Sequence, residues 1–189
     1  MIRFLLGCIL LFVSLSCATA AENLLVNGSF EEGIEPKRYT SLGPGSEAIK
    51  GWKVTRGFID YQGTFLAAAE GKRSIDLHGT PGLGGVQQTF ATKKGAKYRV
   101  SLAIRRTNHE DIQSLAIGVT AVGDDDAKPQ TTSFEVKVAK NWETKAWEFV
   151  AESDQAMLEI YTLVKATNNS YAHLAGPAID DVSVVEVLK

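Results

Sequence analysis

Cysteine is absent from the sequence after its first twenty residues, since Cys8 and Cys17 are the only two cysteines. Disulfide bonds are therefore excluded for the rest of the chain. The sequence also lacks a block of basic residues, because 20 Lys plus Arg are spread among 22 Asp plus Glu. No phosphate-binding stripe results, and nucleic acid is not expected as a partner.

Catalytic signatures are scarce. The three histidines, His78, His109 and His173, form no HExxH motif, and the sequence has no GxSxG motif. A pair of carboxylates could still act as in a glycosidase, because Asp60, Asp76, Glu70 and Glu159 could meet across a sheet. The sequence therefore favours a non-catalytic protein and leaves a hydrolase as the less favoured interpretation.

The N-terminal segment has the features of a secretory signal peptide. Residues 1–20 contain Arg3, an apolar stretch from Phe4 to Leu15, and the small-residue triplet Ala18-Thr19-Ala20. We expect cleavage before Ala21, a secreted extracellular or periplasmic protein, and no membrane partner once the signal is removed. Residues 21–189 show no linker or internal repeat, which predicts a single domain.

Beyond the signal, apolar residues recur with a period of two. Tyr98, Val100, Leu102 and Ile104 alternate with polar or small residues, as half-buried strands require. About ten such short segments, separated by turn-forming residues, predict an all-β antiparallel sandwich of jelly-roll type. TFLAAAEGK at 64–72 is the best candidate for a single helical turn. The stretch 33–51 is expected to be a long loop, either a functional one or a surface connection.

Seven short motifs occur in a characteristic order. They are NLLVNGSFEEG (23–33), GWKVTRGFIDYQGTF (51–65), AAEGKRSIDLHG (68–79), GGVQQTFAT (84–92), GAKYRVSLAI (95–104), WEFVA (147–151) and GPAIDDVSV (176–184). With these motifs the chain resembles the bacterial choice-of-anchor C proteins, which are related to the plant cell-wall family called domain of unknown function 642. The resemblance implies a galactose-binding-like jelly roll, akin to carbohydrate-binding modules, and a polysaccharide or glycan as partner.

The resemblance also implies a structural calcium ion. In jelly-roll carbohydrate modules such an ion often lies where an N-G-x-F-E segment meets a final D-D-V strand, and these correspond to 27–31 and 180–182 here. Glu31 and Asp180 are the expected carboxylate ligands, with a backbone carbonyl near Arg73 as the third ligand by analogy. Strand parity places Asp180 on the face of the following valines. Alternatively, Asp180 pairs with Arg73 or Lys72, or accepts backbone N–H bonds.

Sugar recognition requires an aromatic ring beside planar polar groups, because a pyranose has one apolar face and a rim of hydroxyls. We expect Trp52, Trp147 and Phe149 to lie in the core. The candidate ligand-binding residues are Asp60, Tyr61, Arg105, Tyr171 and His173. The favoured function is a secreted carbohydrate-binding or cell-surface module, and the alternative is an interaction or structural module that contacts a cell-surface protein and has no sugar affinity.

Overall fold

Eleven β-strands run through the residues that the computed structural model describes, which are 22–79, 82–107, 113–136, 141–163 and 176–188. The strands are β1 (Tyr39–Leu42), β2 (Lys53–Arg56), β3 (Ile59–Gln62), β4 (Ser74–Asp76), β5 (Gly85–Ala91), β6 (Lys97–Arg106), β7 (Gln113–Ala121), β8 (Gln130–Val136), β9 (Glu143–Val150), β10 (Gln155–Thr162) and β11 (Pro177–Glu186). No helix in these ranges is long and apolar enough to cross a bilayer.

The strands form two antiparallel sheets. The six-stranded sheet has the order β1-β3-β4-β11-β6-β9, and the five-stranded sheet has the order β2-β5-β10-β7-β8. The predicted antiparallel β-sandwich is thus confirmed. Many neighbours in each sheet are distant in sequence, so residues from both ends of the chain meet on the same sheet face.

The core lies between the sheets and has the same period of two. In β6, Val100, Leu102 and Ile104 are fully buried between the sheets, while Ser101 and Ala103 lie on the outer face. Trp52 and Phe149 are core residues, as expected, and Trp147 is half-buried against the core.

Two segments differ from expectation. The stretch predicted as a loop contains β1, which pairs with β3 from Tyr39 opposite Gln62 to Leu42 opposite Ile59. The segment 64–72 forms bends and turns without a helix. Three of its amide groups donate to carboxylates outside the segment, so they are satisfied without helical hydrogen bonds.

The final strand contains a bulge that changes the face on which Asp180 lies. Asp180 and Ser183, three positions apart, pair with Ala103 and Ser101, which are only two positions apart. Asp181 takes up the extra residue with a φ of 46°. One inserted residue reverses the parity of the strand beyond it, so the prediction that Asp180 shares a face with the next two valines is wrong. The valines are in the core, and Asp180 is on the outer face of the six-stranded sheet.

Candidate functional site

Asp180 anchors a loop on the outer face of the six-stranded sheet. The residue is fully buried, and its Oδ2 accepts the N–H groups of Ala69 at 2.7 Å and Glu70 at 3.0 Å. Its Oδ1 accepts the N–H of Asp181 at 2.7 Å. Burial raises the pKa of Asp180 to about 6, and the three amide hydrogen bonds oppose this rise. The loop of residues 63–73 is thereby tied to β11.

Glu31 holds the end of the same loop. Its Oε1 accepts the N–H groups of Lys72 and Arg73, both at 2.7 Å, and the Arg73 guanidinium pairs with Glu35. The three residues expected to bind metal therefore do converge on one loop. In the structure, the Glu31 and Asp180 carboxylates accept hydrogen bonds from backbone amides. For Asp180, this arrangement is one of the alternatives to a metal ion given above.

Calcium fits this donor set poorly. A calcium ion requires six to eight oxygen ligands with available lone pairs, whereas N–H groups already point at Glu31 and at both oxygens of Asp180. Among the residues described, no three His, Cys, Asp or Glu side chains lie close enough together to hold a metal ion. An ion at this position would have to displace the amide donors, so calcium stays a prediction of the resemblance.

Asp60 and Asp76 are directly opposite each other on β3 and β4. Asp76 is only 5 % exposed, and its Oδ1 accepts the N–H groups of His78 at 2.9 Å and Gly176 at 3.1 Å. Burial raises the pKa of Asp76 to about 7, and the nearby Asp60 charge adds to the rise. Burial also raises the pKa of Asp60, which accepts a hydrogen bond from the Ser41 hydroxyl. Asp76 is thus almost inaccessible to solvent, whereas Asp60 is only partly buried.

Tyr61 is a core residue, which corrects its expected role as a sugar-binding ring. It is fully buried, and its hydroxyl donates a hydrogen bond to the Phe30 carbonyl at 2.6 Å. Asp60 and Tyr61 are adjacent on a strand, so their side chains point to opposite faces. The inward-facing one is the tyrosine, and its ring has no face open to a ligand.

Arg105 is half-buried on the outer face of the six-stranded sheet, and burial lowers the pKa of its guanidinium. Its Cζ lies 5.5 Å from the ring centroid of Trp142, whose indole N–H donates to the Ala67 carbonyl at 3.1 Å. Trp142 was not among the expected site residues. Tyr171 and His173 fall outside the residues that the structure describes, so the five expected ligand-binding residues are not brought together as one set.

A different cluster occupies the outer face of the five-stranded sheet. The Arg56 guanidinium lies over the Tyr161 ring, 4.0 Å from its centroid. The guanidinium also donates three hydrogen bonds to Glu159. Arg56 Nε lies 3.0 Å and Nη2 2.7 Å from Glu159 Oε1, and Nη2 lies 2.7 Å from Oε2. The Thr55 hydroxyl donates to the same Oε1 at 2.7 Å. We call this surface, made of Thr55, Arg56, Gln87, Glu159 and Tyr161, the Tyr161 face.

Small residues surround the Tyr161 ring. In the register of the sheet, Gly85 and Ala116 stand on either side of Tyr161, and neither carries a side chain beyond Cβ. A Cβ at Gly85 would lie 2.9 Å from the Tyr161 Cβ and 2.9 Å from the Thr55 hydroxyl, so glycine is needed for this packing. These two neighbours therefore have no side chain long enough to cover the ring, and Tyr161 is half-buried.

A cavity of about 350 Å³ adjoins the same surface. It is lined by Glu47, Gly51, Trp52, Lys53, Gln87, Gln88 and Thr89. Gln87 is opposite Glu159 in the register, so its side chain belongs both to the cavity and to the Tyr161 face. Ring, guanidinium, carboxylate and amide groups are thus arranged along one sheet face.

The sequence contained only a weak signal for this cluster. Tyr161 and Glu159 are two positions apart in an alternating strand, which places them on one face, but Arg56 is more than one hundred positions away. Only the pairing of β2 and β10 on the two sides of β5 brings them together.

Comparisons with known proteins agree with this architecture. The chain is 29% identical over 176 residues to Halomucin of Haloquadratum walsbyi, covering 90% of this chain and 2% of Halomucin. It is 27% identical over 181 residues to Protein DUF642 L-GALACTONO-1,4-LACTONE-RESPONSIVE GENE 2 of Arabidopsis thaliana, covering 89% of this chain and 47% of that protein. The chain thus spans less than half the length of these curated relatives.

Among solved structures, TmCBM61 in complex with beta-1,4-galactotriose matches with a TM-score of 0.57 and 16% identity, over 88% of this chain and 100% of that one. A likeness at this identity shows the fold, and it confirms the predicted jelly roll of carbohydrate-binding modules. A sequence model matches residues 23–185, so the chain belongs to the family described as Protein of unknown function (DUF642).

Proposed function

We propose that this protein is a secreted, non-catalytic carbohydrate-binding module that holds a neutral polysaccharide on its Tyr161 face. The main support for this proposal is the arrangement of Arg56, Tyr161 and Glu159 on a sheet face where small residues flank the tyrosine ring. The fold shared with TmCBM61, a protein solved with a galactose oligomer, supports the sugar class.

The chemistry of the face suits a sugar without charge. The tyrosine ring offers an apolar surface to the C–H groups of a pyranose, and stacking contributes on the order of 1 kcal/mol. The Arg56 and Glu159 charges neutralise each other at 2.7 Å, so the cluster has no excess charge with which to select an ionic ligand. Arg56 bonds Glu159 through Nε and Nη2, which leaves the two N–H donors of Nη1 for sugar hydroxyls.

Affinity electrophoresis of residues 21–189 against β-1,4-galactan, xylan and soluble cellulose derivatives tests the proposal. At least one of these gels should retard the parent protein. Tyr161→Ala should weaken the retardation about fivefold, because about 1 kcal/mol of stacking is lost. Val150→Ala is the matched control, since Val150 is 46 % exposed on an edge strand of the opposite sheet.

Retardation that is equal for the parent and Tyr161→Ala would place the sugar elsewhere on the fold. If no polysaccharide retards the parent, the alternative of an interaction module for a cell-surface protein replaces this proposal. Reducing ends that accumulate during incubation would contradict the non-catalytic assignment and direct attention to Asp60 and Asp76, which face each other on adjacent strands.

A further inference from the structure

Two aromatic rings are exposed at the β1 edge of the six-stranded sheet. Tyr39 is 48 % exposed and Phe65 is 51 % exposed, and their ring centroids are 5.7 Å apart at an interplanar angle of 60°. The Arg38 guanidinium lies 5.1 Å from the Phe65 centroid. Burial of large aromatic side chains away from water is favourable. Two adjacent exposed rings therefore indicate a contact surface.

The rings are held on a rigid turn. The Arg38 carbonyl accepts N–H groups of Gly63 at 2.8 Å and of Phe65 at 3.2 Å, and Tyr39 pairs with Gln62. A Cβ on Gly63 would lie 2.6 Å from the Pro36 carbonyl, so the two segments approach as closely as glycine permits. The two rings are therefore preorganised on this turn, which lowers the entropic cost of binding.

A cavity of about 600 Å³ lies beside the rings. Its lining is Glu35, Gly63, Thr64, Leu66, Ala67, Ala68, Gly71, Lys72 and Arg73. Gly63 and Thr64 belong both to the cavity wall and to the turn that carries Phe65. The cavity therefore adjoins the turn that carries Phe65.

The charges around this surface are unbalanced. The carboxylates here are Glu35, which pairs with Arg73, Glu31, which accepts two backbone amides and keeps its charge, and the exposed Glu70. Lys37, Arg38 and Lys72 are exposed, and no carboxylate of the described residues forms an ion pair with them. Four basic residues, Lys37, Arg38, Lys72 and Arg73, thus face three carboxylates around the two rings. The surface has one positive charge in excess, although the whole chain has a net charge of −2.

We propose that this edge, formed by Tyr39, Phe65, Arg38 and Lys72, is a second binding site, for a polysaccharide that carries carboxylates on its sugars. A uronic acid offers an apolar ring face for the aromatic pair and a carboxylate for the basic groups. The site is on the six-stranded sheet, is separate from the Tyr161 face, and does not depend on the function proposed for that face.

Affinity electrophoresis in polygalacturonate and in neutral β-1,4-galactan, both at about 0.15 M salt, separates the two sites. Polygalacturonate should retard the parent, and Phe65→Ala and Arg38→Gln should each weaken that retardation about threefold to fivefold. Tyr161→Ala should bind polygalacturonate as the parent does. Lys94→Gln is the matched control for the lost charge, since Lys94 is an exposed lysine in the turn between β5 and β6.

Circular dichroism melts of each variant confirm folding, which we expect to persist because the truncated side chains are exposed. The proposal is overturned if polygalacturonate does not retard the parent, if Lys94→Gln weakens binding as much as Arg38→Gln, or if double-stranded DNA competes as well as the uronate polymer. Concentration-dependent dimerisation that Phe65→Ala abolishes, without any polygalacturonate binding, would assign the rings to self-association instead. Failure of galactan binding alone would contradict only the Tyr161 proposal.

Discussion

Replacing Asp76 by asparagine should stabilise this protein at neutral and alkaline pH. Asp76 is nearly inaccessible, accepts two backbone N–H groups, and lies opposite Asp60. Asparagine keeps the Oδ1 acceptor for both amides and removes the buried charge. The Thr107 hydroxyl already has a hydrogen bond with Asp76 and also donates to the Gly176 carbonyl at 2.7 Å, so its oxygen can accept from the new Nδ2 donor.

The magnitude of this effect is set by the raised pKa of Asp76, which burial moves from 3.8 to about 7. Because the folded pKa is above the unfolded one, the folded state binds more protons between these two values. The free energy of unfolding of the parent therefore falls as the pH rises from about 4 to about 7 and is level above that. Each pKa unit corresponds to 1.36 kcal/mol, so ionisation costs the parent roughly 4 kcal/mol by pH 8.

Urea unfolding of residues 21–189 and of Asp76→Asn at pH 4 and pH 8 measures this difference. The two proteins should agree at pH 4, and the variant should be more stable at pH 8 by up to roughly 4 kcal/mol, or on the order of 10 °C in melting temperature. Asp125→Asn is the control, because Asp125 is an exposed carboxylate in the turn after β7.

A variant that is less stable than the parent at pH 8 would show that the carboxylate has a favourable partner in the folded state. A difference in stability that is the same at pH 4 and pH 8 would show that packing at Asp76, and not its ionisation, determines the effect.

Three further outcomes test other parts of the structure. Tyr61→Phe should destabilise the fold by about 1–3 kcal/mol in urea melts, because it leaves the buried Phe30 carbonyl without its donor; an unchanged midpoint would contradict that hydrogen bond. The amide contacts of Asp180 predict a melting temperature that is indifferent to calcium and to chelator; a rise with calcium that Asp180→Ala abolishes, about 2.7 kcal/mol at a hundred times the Kd, would instead support the metal site that the resemblance implies. Intact mass of the exported protein should correspond to a chain that starts at Ala21, and a lipid on Cys17 would contradict this processing.

Much of the fold was predictable because its signals are local. The alternation in β6 places Val100, Leu102 and Ile104 on one face whatever the strand pairs with, and turn-forming residues separate one strand from the next. The sandwich and most of its strands could therefore be predicted. The first strand, β1, was missed because its four residues, Tyr39–Leu42, lie among glycines and prolines and are held by pairing with β3.

The sites depended on tertiary structure. Asp180 is on the outer face because one extra residue at Asp181 shifts the pairing with β6, and it meets Ala69, 111 positions away, across that face. The sequence by itself determined that Tyr161 and Glu159 share a face. Only the order of the strands in the sheet decided that Arg56 joins them, since register between distant strands depends on hydrogen bonds and core packing that local periodicity does not encode.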